Sequence, residues 1–110
     1  MKIGIYGGTF NPIHYGHLIN AEFIREEFSL DKVIFVPSKI PVHKDLDSLV
    51  DSEQRFYMVA SAIEDNEFFY VSRIEIERDE PSYTIVTLKE FKKEFADAHM
   101  YLIIGEDSYY

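Results

Sequence analysis

Twelve residues, GGTFNPIHYGHL from Gly7 to Leu18, constrain this chain more than any other stretch. They follow a short apolar run, Lys2-Ile3-Gly4-Ile5-Tyr6, which reads as a buried strand, and Gly7-Gly8 is expected to turn the backbone out of it. A helical pattern begins soon afterwards, so strand, glycine turn and helix follow in sequence. At such a junction the unpaired N–H groups of the first helical turn, with the helix dipole, favour a phosphate. His14 and His17 are three apart, which gives their rings one face if both lie in that first turn.

The rest of the chain repeats the alternation. A first helix is expected over residues 16–28, with Leu18, Ala21, Phe23, Ile24 and Phe28 as its core stripe. Val33-Ile34-Phe35-Val36 is a continuous β-branched and aromatic run, the pattern of a buried parallel strand. Residues 37–47 read as a loop carrying Lys39, His43 and Lys44, and it leaves the same end of the sheet as the glycine turn. A second helix is expected from Ser52 to Asn66, capped by Ser52, with Phe56, Met58, Val59, Ala60 and Ile63 as its apolar face. Residues 68–72 form a third strand. Residues 73–78 alternate charged and apolar positions and read as half-exposed extended chain, with Glu75, Glu77, Asp79 and Glu80 as a solvated face. A third helix places Leu88, Phe91 and Phe95 on one side and Lys89, Lys92 and Lys93 on the other, and residues 100–104 read as a fourth buried strand. The fold class is α/β, a Rossmann-like doubly wound parallel sheet.

Composition sets the outer bounds. A length of 110 residues suits one domain, and 46% hydrophobic with 15% aromatic residues is globular rather than disordered. No run of about 18 apolar residues could span a bilayer, and no secretory leader is visible, so a cytoplasmic protein is expected. The absence of cysteine excludes disulfides, thiolate metal sites and cysteine nucleophiles. A net charge of −9, from 11 basic and 20 acidic residues, repels polyanions, which argues against nucleic acid and anionic membranes as partners. A local cluster of donors still permits a small phosphorylated ligand.

The dense motif from Gly7 to Leu18 resembles the signature of the H-x-G-H nucleotidyltransferases, and its GGTF(D/N)P-x-H-x-G-H-L form is similar to that of the nicotinate mononucleotide adenylyltransferases. Further along, Pro41-Val42-His43-Lys44 resembles the family's P-x-H-K, Pro81-Ser82-Tyr83-Thr84 followed by Thr87 its second substrate motif, and Gly105-Glu106-Asp107 its G-x-D. The resemblance implies adenylyl transfer from ATP to nicotinate mononucleotide, giving deamido-NAD and pyrophosphate, with Mg²⁺ travelling with ATP. His14 and His17 become the catalytic residues. Gly7, Gly8, Thr9, Phe10, Gly105 and Asp107 join both histidines in binding ATP, and Asn11, His43, Lys44, Tyr83 and Thr84 bind the mononucleotide. An arginine occurs near the second helix start in the family, at the position of Arg55, and is read as structural. No third protein ligand accompanies the histidines, so no metal bound by the protein itself is expected.

The resemblance further implies a sheet with the first strand central, the second and third to one side and the fourth to the other. The family's complete members continue into a serine/threonine-rich, arginine-containing motif that is not found in these 110 residues. Residues 1–110 are therefore read as the N-terminal part of a single nucleotidyltransferase domain, truncated after the fourth strand, inactive by itself and prone to self-association as a possible homo-oligomer. Two other readings stay open: a phosphopantetheine-type adenylyltransferase, and a nucleotide-binding module without turnover.

Overall fold

The structure, a computed structural model, describes residues 1–10, 12–38, 52–77 and 84–104. Seven elements follow in order: β1 (Lys2–Gly8), α1 (Tyr15–Glu27), β2 (Lys32–Pro37), α2 (Ser52–Ile63), β3 (Phe69–Val71), α3 (Thr84–Glu94) and β4 (His99–Ile104). All the strand pairs are parallel, in the order β3-β2-β1-β4. This is the expected arrangement, with β1 central and bonded on both edges.

Strand alternation sends side chains to two cores. Tyr6, Val33, Phe35, Phe69 and Ile103 face one side, where Ala21 of α1 and Val59 and Ile63 of α2 close over them. Ile3, Ile5, Ile34 and Val36 face the other side, covered by Phe91 with Leu88 and Phe95 from the α3 end of the chain. Helices on both faces make the sheet doubly wound, and each fully buried aliphatic or aromatic side chain contributes about 1.5–3 kcal/mol.

The connection from α1 to β2 is short because it uses a tight helix stop. Ser29 takes φ 54°, its N–H donates to the Glu26 carbonyl at 3.3 Å, and the Leu30 N–H donates to Arg25 at 2.8 Å. That is the Schellman pattern with serine where glycine is usual. The buried Leu30 side chain then joins the first core, and the Asp31 N–H donates to the Lys2 carbonyl at 2.7 Å.

Several expectations need correcting. α1 runs from Tyr15 to Glu27, and Phe23 and Phe28 stand exposed while Ala21 is its buried apolar residue; a thirteen-residue helix turned toward a sheet hides a narrower stripe than the sequence pattern suggested. α2 stops at Ile63, Ser52 is already helical, and Met58 points outward while Arg55 takes the buried place. β3 is only Phe69–Val71. Residues 74–76 form a turn, not extended chain, closed by the Glu77 N–H donating to the Arg73 carbonyl at 2.9 Å. Glu75 is buried rather than solvated, and its carboxylate accepts from the Thr87 hydroxyl at 2.7 Å. β4 is an edge among the described strands; Ile103 is buried, but Leu102 and Ile104 are 42% and 51% exposed. Lys92, on the outer side of α3, donates through its ammonium to the Ala98 carbonyl at 2.9 Å.

Glu22 ties α1 to the turn before β3. One carboxylate oxygen accepts from Arg25 at 2.6 Å, the other from the Asn66 amide at 2.8 Å, and the Arg25 guanidinium lies 4.0 Å from the Phe68 ring centroid. Partial burial pushes the Glu22 carboxyl up, but the hydrogen bonds from Arg25 and Asn66, with the Arg25 charge, outweigh it and hold the group below its ordinary value of 4.5. The unfolded chain therefore takes up this proton first, so the contribution is complete above the ordinary value and is lost as pH falls through the folded one. Glu22→Gln should lower the urea midpoint at pH 7 and converge with the unmutated chain on acidification. Parallel curves down to the acid transition would show that Glu22 is not linked to folding.

Candidate functional site

Parallel strands bring their carboxyl ends together. Gly8 pairs in register with Pro37 and Gly7 with Ile104, and the Ser38 N–H donates to the Gly8 carbonyl at 2.9 Å. The described ends of β2 and β4, at Ser38 and Ile104, thus lie beside Gly7 and Gly8 at the end of β1. The Ser38 hydroxyl is buried there without a hydrogen-bond partner, an orphan of the kind that a polar ligand satisfies.

The glycines do not make the turn. β1 runs through both, no described glycine has positive φ, and the reversal falls on Phe10 at φ 50°. A non-glycine side chain in the left-handed region costs about 1–2 kcal/mol, so the surroundings must hold it. Phe10 is fully buried, 5.4 Å from Tyr6, 5.7 Å from Phe35 and 5.0 Å from His17 between ring centroids. Gly8 makes room for it, since a Cβ there would lie 3.3 Å from the Phe10 ring. Behind the turn Arg55, 1% exposed, donates through Nη1 to the Thr9 carbonyl at 2.7 Å.

His14 and His17 form a reciprocal cap on α1. His14 is the N-cap, in extended conformation, and its Nδ1 accepts the Gly16 N–H at 3.0 Å. His17, at the third helical position, accepts the His14 N–H on its own Nδ1 at 3.0 Å. This is the capping-box pattern with imidazoles in both places. His14 accordingly lies outside the helix rather than in its first turn, yet the two ring centroids are only 3.9 Å apart. A backbone N–H can only donate, so each Nδ1 must be bare and each neutral ring carries its proton on Nε2.

That alters the expectation for the phosphate site. The Gly16 N–H is spent on the His14 ring, and the N–H groups of His17 and Leu18 go to the His14 carbonyl at 3.0 and 3.3 Å. The proton-bearing atom of each neutral ring is then Nε2, polarised by the backbone N–H on its Nδ1, while these first-turn N–H groups are engaged within the cap. His17 is held against Phe10 and Tyr6 and is 8% exposed, whereas His14 is open to solvent.

The structure therefore gathers Gly7, Gly8, Thr9, Phe10, His14 and His17 at one sheet end. Thr84 opens α3, which packs on the opposite sheet face. Asn11, His43, Lys44, Tyr83, Gly105 and Asp107 lie outside the described residues. Two buried charged residues went unrecognised as buried, Arg55 behind the turn and Glu75 against α3, away from the histidines. Arg55 shares a four-residue spacing with the buried Val59 and Ile63, so a charge on the apolar stripe was the available signal. Glu75 had none, because its alternation with Ile74 and Ile76 imitates an exposed strand.

A groove of about 500 Å³ on the α3 side, lined by Lys32, Tyr70, Arg73 and Phe95 among others, is remote from the histidines. Its cations are engaged internally: Arg73 by Glu53 and Glu77, and Lys32 over the Tyr70 and Phe95 rings.

Comparison with known proteins places this geometry. Residues 5–110 match the family described as cytidylyltransferase-like. A probable nicotinate-nucleotide adenylyltransferase of Dictyoglomus turgidum is 47% identical over 109 residues, 99% of this chain and 53% of that protein. A second probable nicotinate-nucleotide adenylyltransferase, from Lachnoclostridium phytofermentans, is 50% identical over 107 residues, 97% of this chain and 54% of its own. The chain thus spans about half the length of the curated relatives it matches. Among solved structures, the Plasmodium falciparum nicotinic acid mononucleotide adenylyltransferase complexed with NaAD superposes with a TM-score of 0.77 at 24% identity, covering 96% of this chain and 52% of that one. The fold is the Rossmann-like nucleotidyltransferase fold that the motif implied.

Replacing a helical glycine with alanine ordinarily stabilises by up to about 1 kcal/mol. At Gly16 the sign should reverse. A Cβ would stand 2.8 Å from Cε1 and 2.9 Å from Nδ1 of His14, so the ring must leave the Gly16 N–H and the cap, worth about 1 kcal/mol, is lost. Gly16→Ala and His14→Ala should each lower the urea midpoint, and the double variant should be little worse than either. Fully additive losses would refute the shared cap.

Proposed function

The chain belongs to the cytidylyltransferase-like family, and on that premise we propose that the protein transfers AMP from ATP to nicotinate mononucleotide, giving deamido-NAD and pyrophosphate. The observation that carries the reading is the histidine pair, two adjacent rings whose backbone partners fix both as Nε2–H donors. The names of the relatives at 47% and 50% identity support the acceptor.

In this reaction a phosphate oxygen of the mononucleotide forms a bond to the α-phosphorus of ATP, and the bond to the bridging oxygen of the β-phosphate breaks. The nucleophile is already anionic, so no side-chain nucleophile or strong base is required; positioning and charge stabilisation carry the rate. His17, held by Phe10 and Tyr6, donates to oxygens that gain charge at the transferring group. His14, more open, steadies the triphosphate. Gly7, Gly8, Thr9 and Phe10 shape the floor beneath it, Gly105 and Asp107 take the adenosine side, and Asn11, His43, Lys44, Tyr83 and Thr84 take the mononucleotide. Mg²⁺ enters with ATP, held chiefly by its phosphates. Such an enzyme works in the cytoplasm on small nucleotides, and the net charge of −9 disfavours nucleic acid and anionic membrane as alternatives.

Made in an enzyme of the relatives' full length, His17→Ala should cut turnover by about a hundredfold or more while ATP binding weakens little. A defect confined to the Michaelis constant would remove His17 from the transition state. In the same enzyme the specificity constants should rank nicotinate mononucleotide above its amide, with phosphopantetheine not adenylylated. Faster transfer to phosphopantetheine would assign the other branch of the superfamily, and ATP binding without pyrophosphate release would select the non-catalytic module.

A further inference from the structure

Arg55 is a buried cation to which the proposed reaction gives no role, and its Nη1 hydrogen bond to the Thr9 carbonyl leaves its own helix to reach the residues after β1. Residue by residue, that bond leads to the chemistry. The Thr9 carbonyl belongs to the peptide unit that enters Phe10; Phe10 is held in the left-handed region; its ring packs on His17, whose Nδ1 receives the His14 N–H. A hydrogen bond from a charged donor is stronger than a neutral one, and here it fixes the orientation of a single peptide plane. Rotating that plane would release Phe10 from φ 50° and withdraw the ring against which His17 rests.

We propose that Arg55 is a positioning residue for the phosphate site: by holding the Thr9 carbonyl it keeps Phe10 left-handed, and Phe10 in turn keeps the His17 ring in place with its Nδ1 on the His14 N–H and its proton on Nε2. The inference rests on the proposed function only in taking the site's ligand to be a nucleoside triphosphate. The start of α2 also supplies an internal control. Glu53, two residues earlier, pairs with Arg73, whose guanidinium lies 4.6 Å from the Phe56 ring centroid. Arg73→Met therefore loosens the same helix end without touching Thr9.

The test uses an enzyme of the relatives' full length that carries this chain, with imidazole ¹⁵N spectra to read the tautomers and calorimetry with Mg-ATP as the probe. In the unmutated chain His17 should show a bare Nδ1 and a protonated Nε2, and a hydrogen-bond coupling should connect Arg55 Nη1 to the Thr9 carbonyl carbon. Arg55→Met should mix the His17 tautomers and weaken ATP binding about tenfold, as expected for losing one charged hydrogen bond. Arg73→Met should lower stability and leave both readings unchanged. Arg55→Lys, which keeps a donor, should recover part of the affinity. Folded Arg55→Met with unmutated spectra and affinity would overturn the proposal, as would equal tautomer mixing in Arg73→Met. Should Arg55→Met not fold, the coupling in the unmutated chain decides, and its absence overturns the proposal. A chain with the expected coupling and tautomers that binds no ATP would instead overturn the proposed function and leave the placement by Arg55 standing.

Discussion

β1 is hydrogen-bonded in parallel on both edges, and the remaining structure is arranged by that constraint. A central parallel strand has no solvent-facing edge, so its two faces must both be covered, and every neighbour must cross over through a helix. β1 meets the demand with alternation: Ile3 and Ile5 feed the core under α3, and Tyr6 the core under α1 and α2. Gly4 completes it by being small. A Cβ there would lie 2.9 Å from Leu30 and 3.0 Å from Ile103, side chains that close over the strand from the end of α1 and from β4. The Schellman stop at Ser29 and the register of β4 therefore meet above one glycine. The same parallel pairing collects the ends of β1, β2 and β4 on one side, so the constraint that builds the core also decides where chemistry can sit.

How much of this was legible follows from what periodicity can encode. Continuous apolar runs marked β1 and β2, and Leu88, Phe91 and Phe95 marked the buried side of the third helix, because area removed from water dominates those choices. The motif located the loop and both histidines. It did not reveal how the loop turns. Two adjacent glycines invite a left-handed reading, yet they stay in the strand, and Phe10 takes the strained conformation because its ring is enclosed by Tyr6, Phe35 and His17. Glu75 was misjudged, and the burial of Arg55, though it was read as structural, was not foreseen, for one reason. A charged side chain is read as solvated by default, and only tertiary partners, the Thr9 carbonyl and the Thr87 hydroxyl, compensate its burial. The fourth strand was legible in its apolar run, and as an edge among the described strands it leaves Leu102 and Ile104 open.

The choice of imidazole at the site also has a physical basis. In a chain with 20 acidic residues against 11 basic ones, a flexible cation is readily drawn to internal partners. Lys2 donates to the Phe28 carbonyl, Lys92 to the Ala98 carbonyl, and Lys32 lies over two aromatic rings. A neutral imidazole with its Nδ1 on a backbone N–H has no such option. Its remaining proton sits on Nε2 and is polarised through the ring by the backbone N–H on Nδ1, and the ring carries no net charge that demands a counter-ion. Two such rings on one cap place two neutral N–H donors at the helix start without adding charge. The arrangement requires a bare Nδ1 on each histidine, so the fold of the α1 start and the donor capacity of the site depend on the same two hydrogen bonds. A substitution that disturbs the cap must then change stability and phosphate recognition together, whereas one that disturbs only the Nε2–H can separate them.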